Sequence, residues 1–209
     1  MKILVACEES QTVTKAFRAL GHEAYSCDIQ ECSGGHPEWH IVGDAIDVAY
    51  NQPWDLMIAH PPCTYLTVTG ARWLYNKDGT KNEQRWKDRA DALDFVQKLL
   101  DAPIERIAIE NPVGAISTEI RKPEQYIEPC MFGDTTTKKT GLWLKNLKPL
   151  EPTNIVEPEF VTLKDGKRYS KWYYETSCLP VKGGVRAKAR SKTFQGIADA
   201  MADQWGNES

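Results

Sequence analysis

Two short clusters carry residue types that can do covalent chemistry. His60-Pro61-Pro62-Cys63 holds a thiol at the end of a stiff segment. Its two prolines fix φ and remove two backbone donors, which suits a side chain that must be held in place. A reactive cysteine works as the thiolate, although a small buried cysteine would read the same at this level. The second cluster is Glu110-Asn111-Pro112. Acyl transfer would pair the thiol with a histidine base rather than a carboxylate. A thiol and a carboxylate together suit attack on a pyrimidine. A thiolate adds to C6 while an acid protonates N3, and C5 becomes an enamine carbon that attacks an electrophilic methyl group. Loss of the C5 proton and of the thiolate then restores the ring.

The surrounding pattern explains how two clusters about 50 residues apart could meet. Lys2 to Cys7, Glu23 to Asp28, Trp39 to Val42, Leu56 to Ala59 and Ile107 to Ile109 read as short strands, several of them wholly apolar. A helix with Ser10 as N-cap, Val13, Phe17 and Leu20 on one face and Gly21 at its end lies between the first two. A long helix marked by Trp86, Ala90, Leu93, Val96 and Leu100 precedes the fifth. This is the grammar of an open α/β sheet, whose ligands bind at the carboxyl ends of strands. Cys63 and Glu110 both follow such ends. Gly141 to Leu144 reads as another strand. Phe160 to Leu163 and Tyr169 to Tyr174 form a hairpin on the Asp165-Gly166 turn, and Ala198, Met201 and Trp205 mark a C-terminal helix.

With these residues in order, the chain resembles the catalytic domain of DNA (cytosine-5) methyltransferases, and more closely the short phage-borne members of that family. Pro62-Cys63 is similar to the nucleophile motif and Glu110-Asn111 to the cytosine-binding motif. Asp28 is similar to the acidic residue that binds the donor ribose, and Asp44 to the one near the adenine. Thr193 to Ala198 resembles the last motif, whose helix packs back beside the first strand. The resemblance covers residues 1 to about 145 and again 190 to 205. It implies a Rossmann-like class I methyltransferase sheet and a single domain over residues 1–209, with 191–205 packing back on the core. Residues 146–190 would form a reduced substrate-recognition insertion carrying the small β-hairpin. The implied cofactor is S-adenosylmethionine or a close analogue, held by Cys7, Glu8, Ser10, Asp28, Ile29, Asp44, Ala45, His60 and Pro61. Cys63, Glu110, Pro62 and Asn111 would be catalytic, and Lys139 and Thr140 would contact the substrate. That substrate would be DNA, its target cytosine flipped out of the duplex. The first loop departs from the family: Cys7-Glu8-Glu9-Ser10-Gln11 stands where the family has glycines.

Charge points the same way. The net charge is −3, yet residues 138 to 192 carry 13 Lys/Arg against 5 Asp/Glu. Such a local excess marks a nucleic-acid face or a solvated basic surface, with Lys182, Arg186, Lys188 and Arg190 as its substrate-binding candidates. Trp172, Tyr169, Tyr173 and Tyr174 lie in the same stretch and could stack unpaired bases or pack the hairpin. Trp86 and Trp205 read as core.

The remaining features narrow the classes. The six scattered cysteines include no Cys-x-x-Cys pair, and 209 residues bury a core without disulfides. Cys27, Cys32, His36 and His40 fall within 14 residues, but only three residues separate the Cys and His pairs, too few for a zinc finger; no metal is expected. No apolar run reaches the roughly 20 residues of a membrane span. Ile3 to Cys7 is too short for a signal-peptide core. The expectation is a cytoplasmic protein, in the bacterial host if phage-encoded, with no membrane and no obligate protein partner. Two rival functions stay open. One is an amino-methyltransferase on adenine N6 or cytosine N4, whose Pro-Pro motif His60-Pro61-Pro62-Cys63 echoes. The other is a catalytically degenerate DNA-binding or anti-restriction module.

Overall fold

The computed structural model describes residues 1–207; Glu208 and Ser209, the end of the expected domain, lie outside the described residues. A seven-stranded sheet runs through the middle in the order β3-β2-β1-β4-β5-β7-β6. Five strands are parallel: β1 (Lys2–Ala6), β2 (Glu23–Asp28), β3 (His40–Val42), β4 (Leu56–Ala59) and β5 (Arg106–Pro112). β7 (Thr140–Lys145) pairs antiparallel with both β5 and β6 (Gln125–Ile127). This is the Rossmann-like α/β sheet expected from the sequence, with β7 inserted antiparallel between β5 and β6.

The apolar strands are apolar because both their faces are covered. Ile3 and Val5 of β1, with Ile58 and Leu142, pack against α1 (Thr12–Ala19) and α7 (Gln195–Gly206) through Val13, Phe17, Met201 and Trp205. Leu4, Met57, Ile107, Ile109 and Trp143 face the other way, against α2 (Ala45–Asn51) and α3 (Glu83–Leu100). The period of two along each strand sorts these side chains between the layers. The buried indoles find partners for their N–H groups: Trp205 donates to the Lys148 carbonyl at 2.9 Å and Trp143 to that of Arg121 at 2.7 Å.

Several elements differ from the sequence expectation. Ser10 does not cap α1; the Glu8 carboxylate does, accepting from the backbone N–H of Val13 at 2.7 Å and Thr14 at 3.2 Å. Leu20, expected on the buried face, is 49% exposed. Trp39 belongs to a 3-10 turn before β3. Only the C-terminal half of α3 enters the core, through Val96, Leu99 and Leu100. Trp86 is half-buried outside that core, its ring flanked by Lys81 at 5.5 Å and Arg89 at 5.6 Å. The hairpin forms on Asp165-Gly166, with Gly166 at φ +80° as its turn requires. It consists of β8 (Phe160–Thr162) and β9 (Arg168–Ser170). Its second strand stops at Ser170, so Trp172, Tyr173 and Tyr174 lie on a helix, α5 (Lys171–Cys178). Two further short helices complete the chain, α4 (Ile116–Glu119) and α6 (Val185–Ser191).

Candidate active site

The β4–β5 ladder ends at the pair Ala59 and Ile109. β5 continues for three more residues because β7 pairs with its other edge, matching Glu110 with Leu142, Asn111 with Gly141 and Pro112 with Thr140. Glu110 and Asn111 are therefore held as strand residues, where the sequence pattern had ended the strand at Ile109. Side chains take over where the backbone ladder stops. His60 Nδ1 lies 3.1 Å from Glu110 Oε2. Asn111, 1% exposed, donates through Nδ2 to the Pro61 carbonyl at 2.7 Å. This bond fixes the segment whose prolines have no N–H of their own to offer.

Cys63 is fixed by the next turn. Its carbonyl accepts from the N–H of Leu66 at 3.0 Å and of Thr67 at 3.1 Å. The Ala115 N–H donates to the Leu66 carbonyl at 2.6 Å, joining this turn to the loop after β5. Gly114 makes that approach possible, since a Cβ there would collide with the Leu66 carbonyl. The loops after β4 and β5 are thus joined backbone to backbone beneath Cys63.

The electrostatics of the group are coupled. Burial pushes the Cys63 thiol above its ordinary range, the Glu110 carboxylate adds to that, and Lys138 opposes both. Burial also pushes the Glu110 carboxyl up, but the bond to His60, the charges of Lys138 and His60 and a bond with Thr140 outweigh it, so it lies below the usual carboxylate value. At neutral pH the pair is a thiol beside a carboxylate. A carboxylate only accepts, so the His60 nitrogen facing it carries a hydrogen. His60 Nε2 and Asn111 Oδ1 are both buried without a hydrogen-bond partner. Buried orphans of this kind are rare in folded proteins and mark places where a further group can bind.

The second half of the crevice lies at the ends of β1 and β2. Cys7 and Gln11 both sit at φ +59°, a left-handed conformation uncommon for residues other than glycine. The glycine-free loop thus adopts glycine-like backbone at two points. The Cys7 thiol is driven up by burial and then by the nearby Asp28, Cys27 and Asp44, which places both carboxylates around it. Asp28 Oδ1 accepts from the Gln30 N–H at 2.9 Å. Asp44 caps α2 through its own Oδ1, accepting from Ile46 at 2.7 Å. Each therefore retains a second oxygen able to accept a hydrogen bond.

The other candidate cofactor residues are placed differently from one another. Glu8 is 4% exposed and its carboxylate is committed to α1, with a third bond from the Thr14 hydroxyl at 2.8 Å. Ser10 Oγ lies 3.3 Å from Thr12 Oγ1 at the same helix start. Ala45 is buried beneath Asp44, and Ile29 is exposed. His60 and Pro61 belong instead to the Cys63–Glu110 group.

Among the basic residues, Lys138 rather than Lys139 serves the site. Lys139 is turned away, its Nζ 4.5 Å from the Tyr126 ring. Thr140 is buried, and its hydroxyl donates to the Lys138 carbonyl at 3.1 Å. The Arg186 guanidinium donates to the Leu179 carbonyl from two nitrogens, at 3.0 and 2.7 Å. Arg190 donates to the hydroxyls of Thr176 at 3.1 Å and Ser177 at 2.6 Å. Both arginines therefore tie α6 to α5. Lys182 is exposed, and Lys188 reaches Glu9 of the first loop at 3.4 Å.

Sequence reasoning grouped Lys138 with Lys139 and Thr140 and gave Gln11 no role of its own. Lys138 and Lys139 look alike as a dipeptide, and only the start of β7 decides which one faces Glu110. Gln11, wholly buried, donates to the His36 carbonyl at 2.8 Å and accepts from the His36 N–H at 3.1 Å and the Cys32 thiol at 3.0 Å. It clamps the loop after β2 onto the loop after β1. The Cys32 and His36 that crowd together in sequence are thus engaged by this clamp, while His40 Nδ1 lies 2.7 Å from Ser26 Oγ. Among the described residues no helix is long and apolar enough to cross a membrane.

No protein-family model matches the chain, and no curated protein matches it in sequence. One similar solved structure is a protein provisionally described as a DNA modification methyltransferase encoded within a prophage of E. coli, at 12% identity and a TM-score of 0.47. The match covers 74% of this chain and about half (51%) of that one.

Proposed function

We propose that this protein is an S-adenosylmethionine-dependent methyltransferase acting at C5 of cytosine in DNA, with the target base turned out of the duplex. The observation that carries the reading is the meeting of Cys63, Glu110 and Lys138 at the carboxyl ends of β4 and β5. The Cys63 thiol proton passes to the Glu110 carboxylate, and the sulfur adds to C6 of the base. Glu110 then delivers that proton to N3, so the ring carries no net charge when C5 becomes nucleophilic. The bound donor would supply an electrophilic methyl carbon to C5, with Asp28 and Asp44 holding its nucleoside end. Glu110 takes the N3 proton back. A water molecule takes the C5 proton as the Cys63 thiolate leaves and the aromatic ring is restored, and Glu110 returns its proton to the thiolate. Lys138 stabilises the thiolate on both occasions when it is exposed as an anion.

The test is the covalent bond. Fluorine at C5 cannot leave as a cation, so random-sequence or host genomic DNA carrying 5-fluorocytosine should trap a protein–DNA adduct that survives heat and detergent. Cys63→Ala should abolish the adduct, and Cys7→Ala and Cys130→Ala should retain it. Methylation that persists in Cys63→Ala would overturn the reading.

One observation favours a second reading. The 3.1 Å contact between His60 and Glu110 gives the carboxylate a role in an amino-methyltransferase, orienting an imidazole whose Nε2 accepts from the target amine. Nucleoside analysis of DNA from an expressing host separates the two, because 5-methylcytosine and N-methylated bases differ in mass-spectral fragmentation.

A further inference from the structure

α5 belongs to the insertion. Its neighbours are β8, β9 and α6, and Lys171 at its start pairs with Glu159 at 2.7 Å. One of its side chains leaves that company. The Trp172 ring lies 5.7 Å from the Phe194 ring, tilted by 60°, where Phe194 caps the start of α7. The Lys138 ammonium lies 6.0 Å from the first ring and 5.8 Å from the second. Lys138 stands two residues before Thr140, which pairs with Pro112 at the end of β5 and donates its hydroxyl to the Lys138 carbonyl at 3.1 Å. Trp172 and Phe194 are only half-buried, so each ring retains open surface.

We propose that Trp172 and Phe194 form an aromatic wall against which an unstacked pyrimidine ring rests as it enters the Cys63–Glu110 mouth. The inference rests on the proposed action on a base and adds the residues that receive it. Every base has a π face, and stacking on an aromatic side chain holds it without reading its sequence. Lys138 against the two rings adds a cation–π contact that fixes their tilt. The wall also links the insertion to the reacting residues, so DNA held by α5 and α6 presents its base at the thiol.

The experiment uses the full chain and a random-sequence single-stranded oligonucleotide bearing 5-iodocytosine. Long-wavelength irradiation crosslinks such a base to an aromatic ring stacked on it, and mass spectrometry locates the bond. Crosslinks are expected at Trp172 or Phe194. Trp172→Ala should lower crosslinking and oligonucleotide affinity about 5- to 150-fold, the range for loss of one stacked base. Trp172→Phe should retain most of both, which a loss of fold would not allow. Crosslinks confined to other residues, or unchanged crosslinking in Trp172→Ala, would overturn the wall. The 5-fluorocytosine adduct is measured in parallel. Crosslinks without an adduct keep the wall and remove the C5 chemistry, an adduct without crosslinks does the reverse, and absence of both overturns both.

Discussion

At the β4–β5 end of the crevice the chain is stiffened by its backbone and pinned by the Asn111 side chain. Two prolines, a glycine that admits a neighbouring carbonyl and a direct Ala115-to-Leu66 bond leave Cys63 little freedom. At the β1–β2 end backbone bonds also join the loops, from the Glu8 N–H to the Cys27 carbonyl at 3.1 Å and from the Ser33 N–H to the Glu9 carbonyl at 2.8 Å, and buried polar side chains add to them. Glu8 supplies the α1 cap, the Gln11 amide pins the loop after β2, and Lys188 reaches across to Glu9. The difference matches the two tasks. A nucleophile must be presented in one position, because misplacement of about 1 Å costs orders of magnitude in rate. The proposed donor must enter and leave at the other end, where no proline stiffens residues 7 to 11.

The comparison is broken or sharpened by variants placed at the two ends. The largest effect is expected at the rigid end. Glu110→Gln should lower the rate of methyl transfer about 10²- to 10⁴-fold, as for loss of a general acid, with DNA affinity retained. The same variant should alter the acid limb of stability. The Glu110 carboxyl is held below its ordinary value, so its contribution is present above the unfolded value and is lost as pH falls through the folded one. Urea titrations below the ordinary carboxylate range should show a shallower acid loss in Glu110→Gln. Next comes Asp28→Ala, at the other end, which should weaken S-adenosylmethionine binding about tenfold or more by calorimetry in a folded protein; unchanged affinity would remove Asp28 from the donor site.

Glu8→Ala should act on stability rather than on chemistry. It removes an N-cap at a buried helix start, and about 2 kcal/mol should be lost in urea denaturation. A loss confined to donor affinity would contradict the structural role assigned here. The smallest effect separates the basic residues. Lys182→Ala with Lys188→Ala should reduce the slope of log affinity against log salt by about 1 to 2. Arg186→Ala and Arg190→Ala should lower stability, because their guanidiniums are bonded to α5. An equal change of slope from either pair would return all four residues to the DNA face.

Much of the frame was legible because the strands are short and wholly apolar. Leu56 to Ala59 cannot alternate, since both faces are covered, and a four-residue apolar run bounded by polar residues has few other readings. The sequence also put Cys63 and Glu110 after neighbouring strands. It could not show that Glu110 lies inside β5, because β7 extends that strand and β7 begins about 30 residues later. Tyr169 to Tyr174 looked like one strand because aromatic residues favour strands; the turn into α5 at Ser170 comes from packing of the insertion instead.

What the sequence by itself determined is therefore the order of elements and the two reactive clusters, both local properties of composition and period. Tertiary structure decided the charges and partners within the site. It brought Lys138 rather than Lys139 near Glu110, turned Glu8 from a candidate donor contact into a helix cap, bonded His60 to Glu110 and set Trp172 of the insertion against Phe194. Each of those outcomes depends on which residues distant in the chain share an edge or a face. Local periodicity has no term for that, since it describes how a segment meets the core and not what stands across from it.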